Sequence, residues 1–213
     1  MYLLLYIMME SFSQAGQDLF YLKAHNFKPN GTFLEIGSNH PITHNNTYLA
    51  ESKYGWNGLM IEYDRSFEQS YKEIRQKSSY IINDARNVNY RSVLDSKNFP
   101  TEIDYLQVDL DVDNRSTLSV LEILDQTVFD KYTFGAVTFE HDIYAGNHFD
   151  TQRISRDIFL KRGYKLVFSN VSVFWQGAYK PFEDWYIHPS IVENFNYSEN
   201  NLTHEDIMKL LYI

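Results

Sequence analysis

"FLEIGSNHP", residues 33–41, sets apolar residues around a glutamate and then closes on a glycine and a short polar run. Such a run reads as a buried strand that stops at a tight turn. In an open α/β sheet, ligands lie beyond the carboxyl ends of the strands, near the point where strand order reverses. Gly37, Ser38 and Asn39 are therefore the first candidates for a ligand-facing turn, glycine allowing a close approach to the backbone. Working outward, "GLMIEYD" (58–64) ends near Glu62, about 25 residues beyond Gly37. A carboxylate at that place can accept hydrogen bonds from both hydroxyls of an adenosine ribose. "SYIINDAR" (79–86) brings Asn83 and Asp84 to a third strand end, a polar pair suited to an adenine edge.

The same alternation of strand-like and helix-like stretches runs along the whole chain and predicts an α/β sheet. Strands are expected at 32–37, 57–62, 79–83, 104–110, 134–140, 164–169 and within 171–188. Helices are expected at 13–26, 43–54, 65–77, 115–126, 151–162 and 204–211. Asp64 or Ser66 can cap the third helix, and "THED" (203–206) forms a capping box for the last. The loops 84–103 and 141–150 are the longest, and long loops are where function concentrates.

A chain of 213 residues, 44% hydrophobic, has enough apolar material for one good core, and no linker or repeat divides it. The expected organisation is a short N-terminal extension, 1–12, and one domain, 13–213. Aromatic residues make up 16%; core filling explains them, and an acceptor groove lined with rings is the alternative. The net charge of −9 and the absence of any basic run argue against a nucleic-acid partner. Residues 101–114, "TEIDYLQVDLDVDN", carry five carboxylates and no basic side chain. With no cysteine, thiolate metal sites, disulfides and cysteine nucleophiles are excluded.

N-x-S/T sequons begin at Asn30, Asn45, Asn114, Asn170, Asn196 and Asn201, but no export signal precedes them, so asparagine richness explains them better. The opening "MYLLLYIMM" is too short to span a bilayer and lacks a cleavage pattern. An edge strand, a helix packed on the body, or the start of a piece cut from a longer polypeptide all fit it. The expectation is a cytoplasmic protein with no membrane partner, and a homo-oligomer is compatible with the sequence.

The lone glycine in the first turn does not supply the G-x-G-x-x-G of a nicotinamide site, and no Y-x-x-x-K pair is present. S-adenosylmethionine suits the turn better, having no pyrophosphate to cradle. "SQAGQDLF" (13–20), "FLEIGSNHP", "NNTYLAE" (45–51), "GWNGLMIEYD" (55–64) and "VDLDVD" (108–113) together resemble the FkbM-type class I methyltransferases. The likeness runs from about Ser13 to "FEDWYIHP" (182–189). It implies a single-domain, Rossmann-like class I methyltransferase with a seven-stranded, mostly parallel sheet flanked by helices. It also implies S-adenosylmethionine as cofactor and a sugar, glycan or polyketide hydroxyl as acceptor, with a glycosyltransferase as fusion or working partner. On this resemblance Glu35, Gly37 and Asn39 match the first loop and Glu62 the ribose acid. Gln14, Asn46 and Thr47 match polar positions around the methionine end. The family's D-x-E-G is absent; Asp109, Leu110, Asp111 and Val112 stand there, and "DLDVDNRSTLSVLE" resembles instead the metal-dependent macrolide-sugar O-methyltransferases.

Methylating an alcohol requires removal of its proton by a base or its polarisation by a Lewis acid. Asp109 and Asp111 close the fourth strand, and Glu140, His141 and Asp142 the fifth. Carboxylates gathered without Lys or Arg need a proton, solvent or a divalent cation between them. One expectation is Mg or Mn held by Asp109, Glu140 and His141. The other is a metal-free site with His141 as base; His141 and Asp111 are the catalytic candidates. In "FEDWYIHP", Glu183 and Trp185 share a face, either as a wall against the acceptor sugar or as a plain last strand. A small phenolic or polyketide acceptor, or a degenerate fold used only for binding, are the rival readings.

Overall fold

The computed structural model describes residues 10–111, 115–141 and 143–211. Residues 1–9 of the expected extension, Val112 to Asn114 of the acidic run, and Asp142 lie outside the described residues. Eight strands form one sheet in the order β3-β2-β1-β4-β5-β7-β6-β8. Their ranges are β1 Thr32–Ile36, β2 Asn57–Glu62, β3 Ser79–Ile82, β4 Glu102–Val108, β5 Thr133–Glu140, β6 Lys165–Trp175, β7 Ala178–Ile187 and β8 Glu199–Asn200. Only β7 runs against its neighbours, so the sheet is mostly parallel and Rossmann-like. The eighth strand is a two-residue addition at the edge of the expected seven. The strand order reverses between β1 and β4, which places the ligand crevice at Gly37 and Asp109.

The helices are α1 Gln17–Ala24, α2 Tyr48–Tyr54, α3 Glu68–Ile74, α4 Tyr90–Ser96, α5 Ser116–Thr127, α6 Phe149–Lys161 and α7 His204–Leu211. Of these, α4 falls inside the expected long loop, opened by Asn89, whose side chain accepts from Ser92 N. Asp64 caps a 3-10 turn that leads into α3, and Thr203 and Asp206 exchange the bonds of a capping box.

Strand alternation divides the core in two. Phe33, Tyr105, Ala136 and Trp185 face α1, α2 and α7, where Tyr21 stacks on Tyr105 with ring centroids 3.9 Å apart. Leu34, Leu106, Val137 and Tyr186 face α5 and α6, packed with Leu121 and Phe159. The central strands are covered on both sides, as parallel sheets must be. Most of the aromatic excess is thereby spent in the core. The asparagines serve the backbone, since Asn26, Asn30, Asn39, Asn98, Asn170 and Asn201 all hold positive φ, and three of them head sequons. Short polar side chains tolerate that conformation better than most.

Candidate functional site

A groove follows the carboxyl rim of the sheet. One part, about 400 Å³, is lined by Gln14, Gly37, Asn39, His44, Glu62, Phe67, Asp109 and Asp111 among others. It continues past Tyr63 and Asp64 to Asn83, Asp84 and Arg86. Glu62 ends β2 almost buried, at 8% exposure. Its Oε2 accepts Asn39 N–H at 2.6 Å and its Oε1 accepts Asp64 N–H at 2.7 Å. Two backbone donors thus fix the carboxylate and leave each oxygen a further lone pair. Asn39 can present its N–H here because it holds φ at 51°.

Gly37 has a different reason from the one the sequence suggested. Its φ is 84°, and a Cβ on it would fall 1.6 Å from the main-chain oxygen of Asp109. The close passage of the chain beyond the ends of β1 and β4 by itself demands a glycine here. Unlike Gly37, the residues Glu35, Ser38, Asn46 and Thr47 lie beneath the groove rather than in its lining. Glu35 is fully buried and accepts Asn46 N–H at 3.0 Å, Thr47 Oγ1–H at 2.7 Å and Asn45 Nδ2–H at 3.4 Å. Burial pushes its carboxyl up to about 7, against the pull of nearby Arg75 and these donors. Ser38 Oγ accepts Tyr71 O–H at 2.8 Å. These residues shape the loop that carries Asn39 and His44.

The expected catalytic residues are brought together only in part. Asp109 is partly buried, receives a hydrogen bond from Gln107 Nε2 at 3.4 Å and pairs with Glu140. Burial raises its carboxyl. Glu183, the cross-strand partner of Glu140, completes an acid group; it is bonded by Gln17 Nε2 at 3.1 Å and by the Trp185 indole N–H. Burial first, then Asp109, pushes Glu183 up to about 8.

His141 does not join them. Neighbouring residues on a strand point to opposite faces, and its ring lies on the other side, 3.9 Å from Asp184 Oδ1. There burial lowers it to about 4, so it is a neutral packed imidazole at pH 7. The expected Asp109/Glu140/His141 cation site is therefore not assembled. Among the described residues no group of three or more His, Asp or Glu side chains is placed to hold a metal ion. Asp111, the other catalytic candidate, is exposed on the groove wall.

Trp185 and Tyr186 are no acceptor wall. Both are fully buried, Trp185 against Phe20 and Phe168. Asn83 and Asp84 do line the groove, with Asp84 held bidentately by Arg86, Nε donating to Oδ1 at 3.0 Å and Nη2 to Oδ2 at 2.7 Å. His44, Tyr63 and Phe67 are lining residues that the sequence reading missed. Tyr63 follows the Glu62 strand end and is 77% exposed; a large ring just past a ribose acid was the available signal.

No protein-family model matches the sequence, and no curated protein matches it. Solved structures do. A TehB-like SAM-dependent methyltransferase from Corynebacterium glutamicum is 13% identical, with a TM-score of 0.48 over 81% of this chain and 87% of that one. A precorrin-6y C5,15-methyltransferase from Geobacter metallireducens is 12% identical, with a TM-score of 0.48 over 80% and 85%. An RNA methyltransferase from Salinibacter ruber, solved with S-adenosyl-L-homocysteine, is 13% identical, with a TM-score of 0.42 over 84% and 94%. The sheet order itself, parallel but for one reversed strand, is an α/β Rossmann-like arrangement.

Proposed function

We propose that the protein is an S-adenosylmethionine-dependent O-methyltransferase acting on a sugar or glycan hydroxyl. The observation that carries the cofactor reading is Glu62, fixed by two backbone N–H groups at the mouth of the switch-point groove. The groove's charge points the same way. Glu62, Asp64, Asp84, Asp109 and Asp111 line it, while Arg86 is committed to Asp84 and Arg65 reaches Glu68 at 3.5 Å. Such a wall favours a ligand bearing a sulfonium and an ammonium and disfavours a pyrophosphate.

The residues fit that group. Glu62 would accept the ribose hydroxyls, Asn83 and Asp84 would meet the adenine edge, and Gln14, Asn39 and His44 would surround the amino-acid end. Bound there, the cofactor supplies an electrophilic methyl. What the chain adds is placement of the acceptor hydroxyl, which alone is worth about 7–11 kcal/mol of barrier, and a group for its proton. With His141 on the other face, that group is Asp109, which borders the groove and is backed by Glu140. The acceptor class rests on the sequence resemblance.

Calorimetry with S-adenosylhomocysteine tests the cofactor reading; a chain that gives no binding heat refutes it. A mass-shift screen of sugars, glycans and phenols then tests the acceptor class. Methylation of phenols alone would remove the sugar.

A further inference from the structure

Arg75 follows α3 as its C-cap, and its side chain is completely buried, outside the lining of the groove. A guanidinium in such a place must have its donors satisfied, and the partners it has found are specific. Its Nε meets Glu51 Oε2 at 3.0 Å, which anchors it to α2. Its other hydrogen bonds go to one stretch of loop. Nη1 reaches Asn45 Oδ1 at 2.8 Å and Pro41 O at 3.4 Å, and Nη2 reaches Thr47 Oγ1 at 2.7 Å.

That loop, from Gly37 to Thr47, is the segment that carries Asn39 and His44 to the groove. Glu35 holds it from the other side through Thr47 Oγ1 and the Asn46 N–H. Asn45 Nδ2 then ties its end to its beginning at Ser38 O, 2.9 Å away. The Thr47 hydroxyl sits between the guanidinium and the Glu35 carboxyl, accepting from Arg75 and donating to Glu35.

We propose that Arg75 is a positioning residue for the cofactor: it clamps the 41–47 segment from below, and so fixes Asn39 and His44 where the amino-acid end of the ligand would lie. This rests on the cofactor reading above. The clamp needs the planar fork. A lysine presents a compact charge on a flexible stem and does not span Glu51, Asn45 and Thr47 at once.

Arg75→Lys keeps the charge, and Thr47→Val removes only the hydroxyl between Arg75 and Glu35, so the second variant serves if the first does not fold. With the whole chain, S-adenosylhomocysteine should bind at least tenfold more weakly to each variant by calorimetry. In turnover, the KM for the methyl donor should rise while kcat and the acceptor KM hold. Without any ligand, the amides of Asn46, Thr47 and Tyr48 should exchange with deuterium at least tenfold faster, while those of β1 and β4 stay protected. Binding within twofold of the parent, with unchanged exchange at these amides, overturns the proposal. Protection lost equally across β1 and β4 also overturns it, as it marks a general loss of stability. A parent chain that binds no S-adenosylhomocysteine sinks the cofactor reading instead, and the exchange data then decide alone whether Arg75 orders the loop.

Discussion

Replacing Glu62 by glutamine perturbs the groove with the least change in volume. The carboxylate now accepts Asn39 N–H at 2.6 Å on one oxygen and Asp64 N–H at 2.7 Å on the other. Glutamine has a single acceptor oxygen, so its NH2 must face one of those donors. Orphaning one of these partly buried N–H groups costs about 1–3 kcal/mol of stability. For a domain of this size that lowers Tm by about 2–12 °C. Loss of one charge-assisted bond to the ribose costs a further 1.5–3 kcal/mol in binding, roughly 10- to 150-fold in Kd. The assay is calorimetry with adenosine and 2′-deoxyadenosine at a temperature well below both melting points. The parent should prefer adenosine, and Glu62→Gln should lose most of that preference. Equal discrimination in parent and variant would refute the ribose assignment, whatever the melting points do.

Further outcomes follow from the same geometry. Gly37→Ala should destabilise by more than about 3 kcal/mol in urea unfolding, because its Cβ meets backbone at 1.6 Å; a variant as stable as the parent would mean the two strands pass less closely. His141→Asn should lose about 1–3 kcal/mol of stability yet keep kcat within about threefold, given a ring packed near Asp184. A hundredfold fall in kcat in a folded His141→Asn protein would return the imidazole to the chemistry. Stability should also depend on pH through the buried acids. Glu35 and Glu183 stand at about 7 and about 8 when folded, above their ordinary 4.5, so the native state holds their protons more tightly. Their contribution is full below about pH 4.5, is lost as pH rises through 7 and then 8, and is flat beyond. Glu183→Gln should therefore remove the upper part of that decline in melting curves taken from pH 5 to 9. An identical pH slope in parent and variant would show that Glu183 titrates normally.

The parallel half of the sheet was legible because β1, β2 and β4 are short apolar runs ended by polar or glycine residues, and the place of Glu62 at the end of β2 followed from the same pattern. Four things were not legible, each for a physical reason. Gly37 looks the same in sequence whether a ligand or another strand crowds it; only the Asp109 carbonyl tells them apart. Glu140 and His141 are neighbours in the chain, and an acid beside an imidazole at a strand end reads equally as a cation site; only the placement of the ring against Asp184 separates the two. Trp185 and Tyr186 sit in a run that also contains acids, which reads as half exposed. Those acids are buried too, Glu183 bonded to Gln17 and Asp184 to Arg156. Arg75 gave no signal, since an arginine at the end of an amphipathic helix is ordinarily solvated.

The two margins of the sheet differ in what they offer to a second chain. β3 presents only four residues, and Lys97 reaches its first, Ser79, at 2.9 Å. A strand so short and guarded is a poor template for growth. At the opposite margin β8 covers only Phe168 and Ser169 of β6, with one further bridge at Ser172. Beyond it the strand runs on to Phe174 and Trp175, 65% and 45% exposed. Among the described residues an unpaired strand edge and exposed rings coincide there, so that hairpin end is where self-association in concentrated solution should begin. Lysine placed at Phe174 is the substitution to make first when the protein has to be kept dispersed.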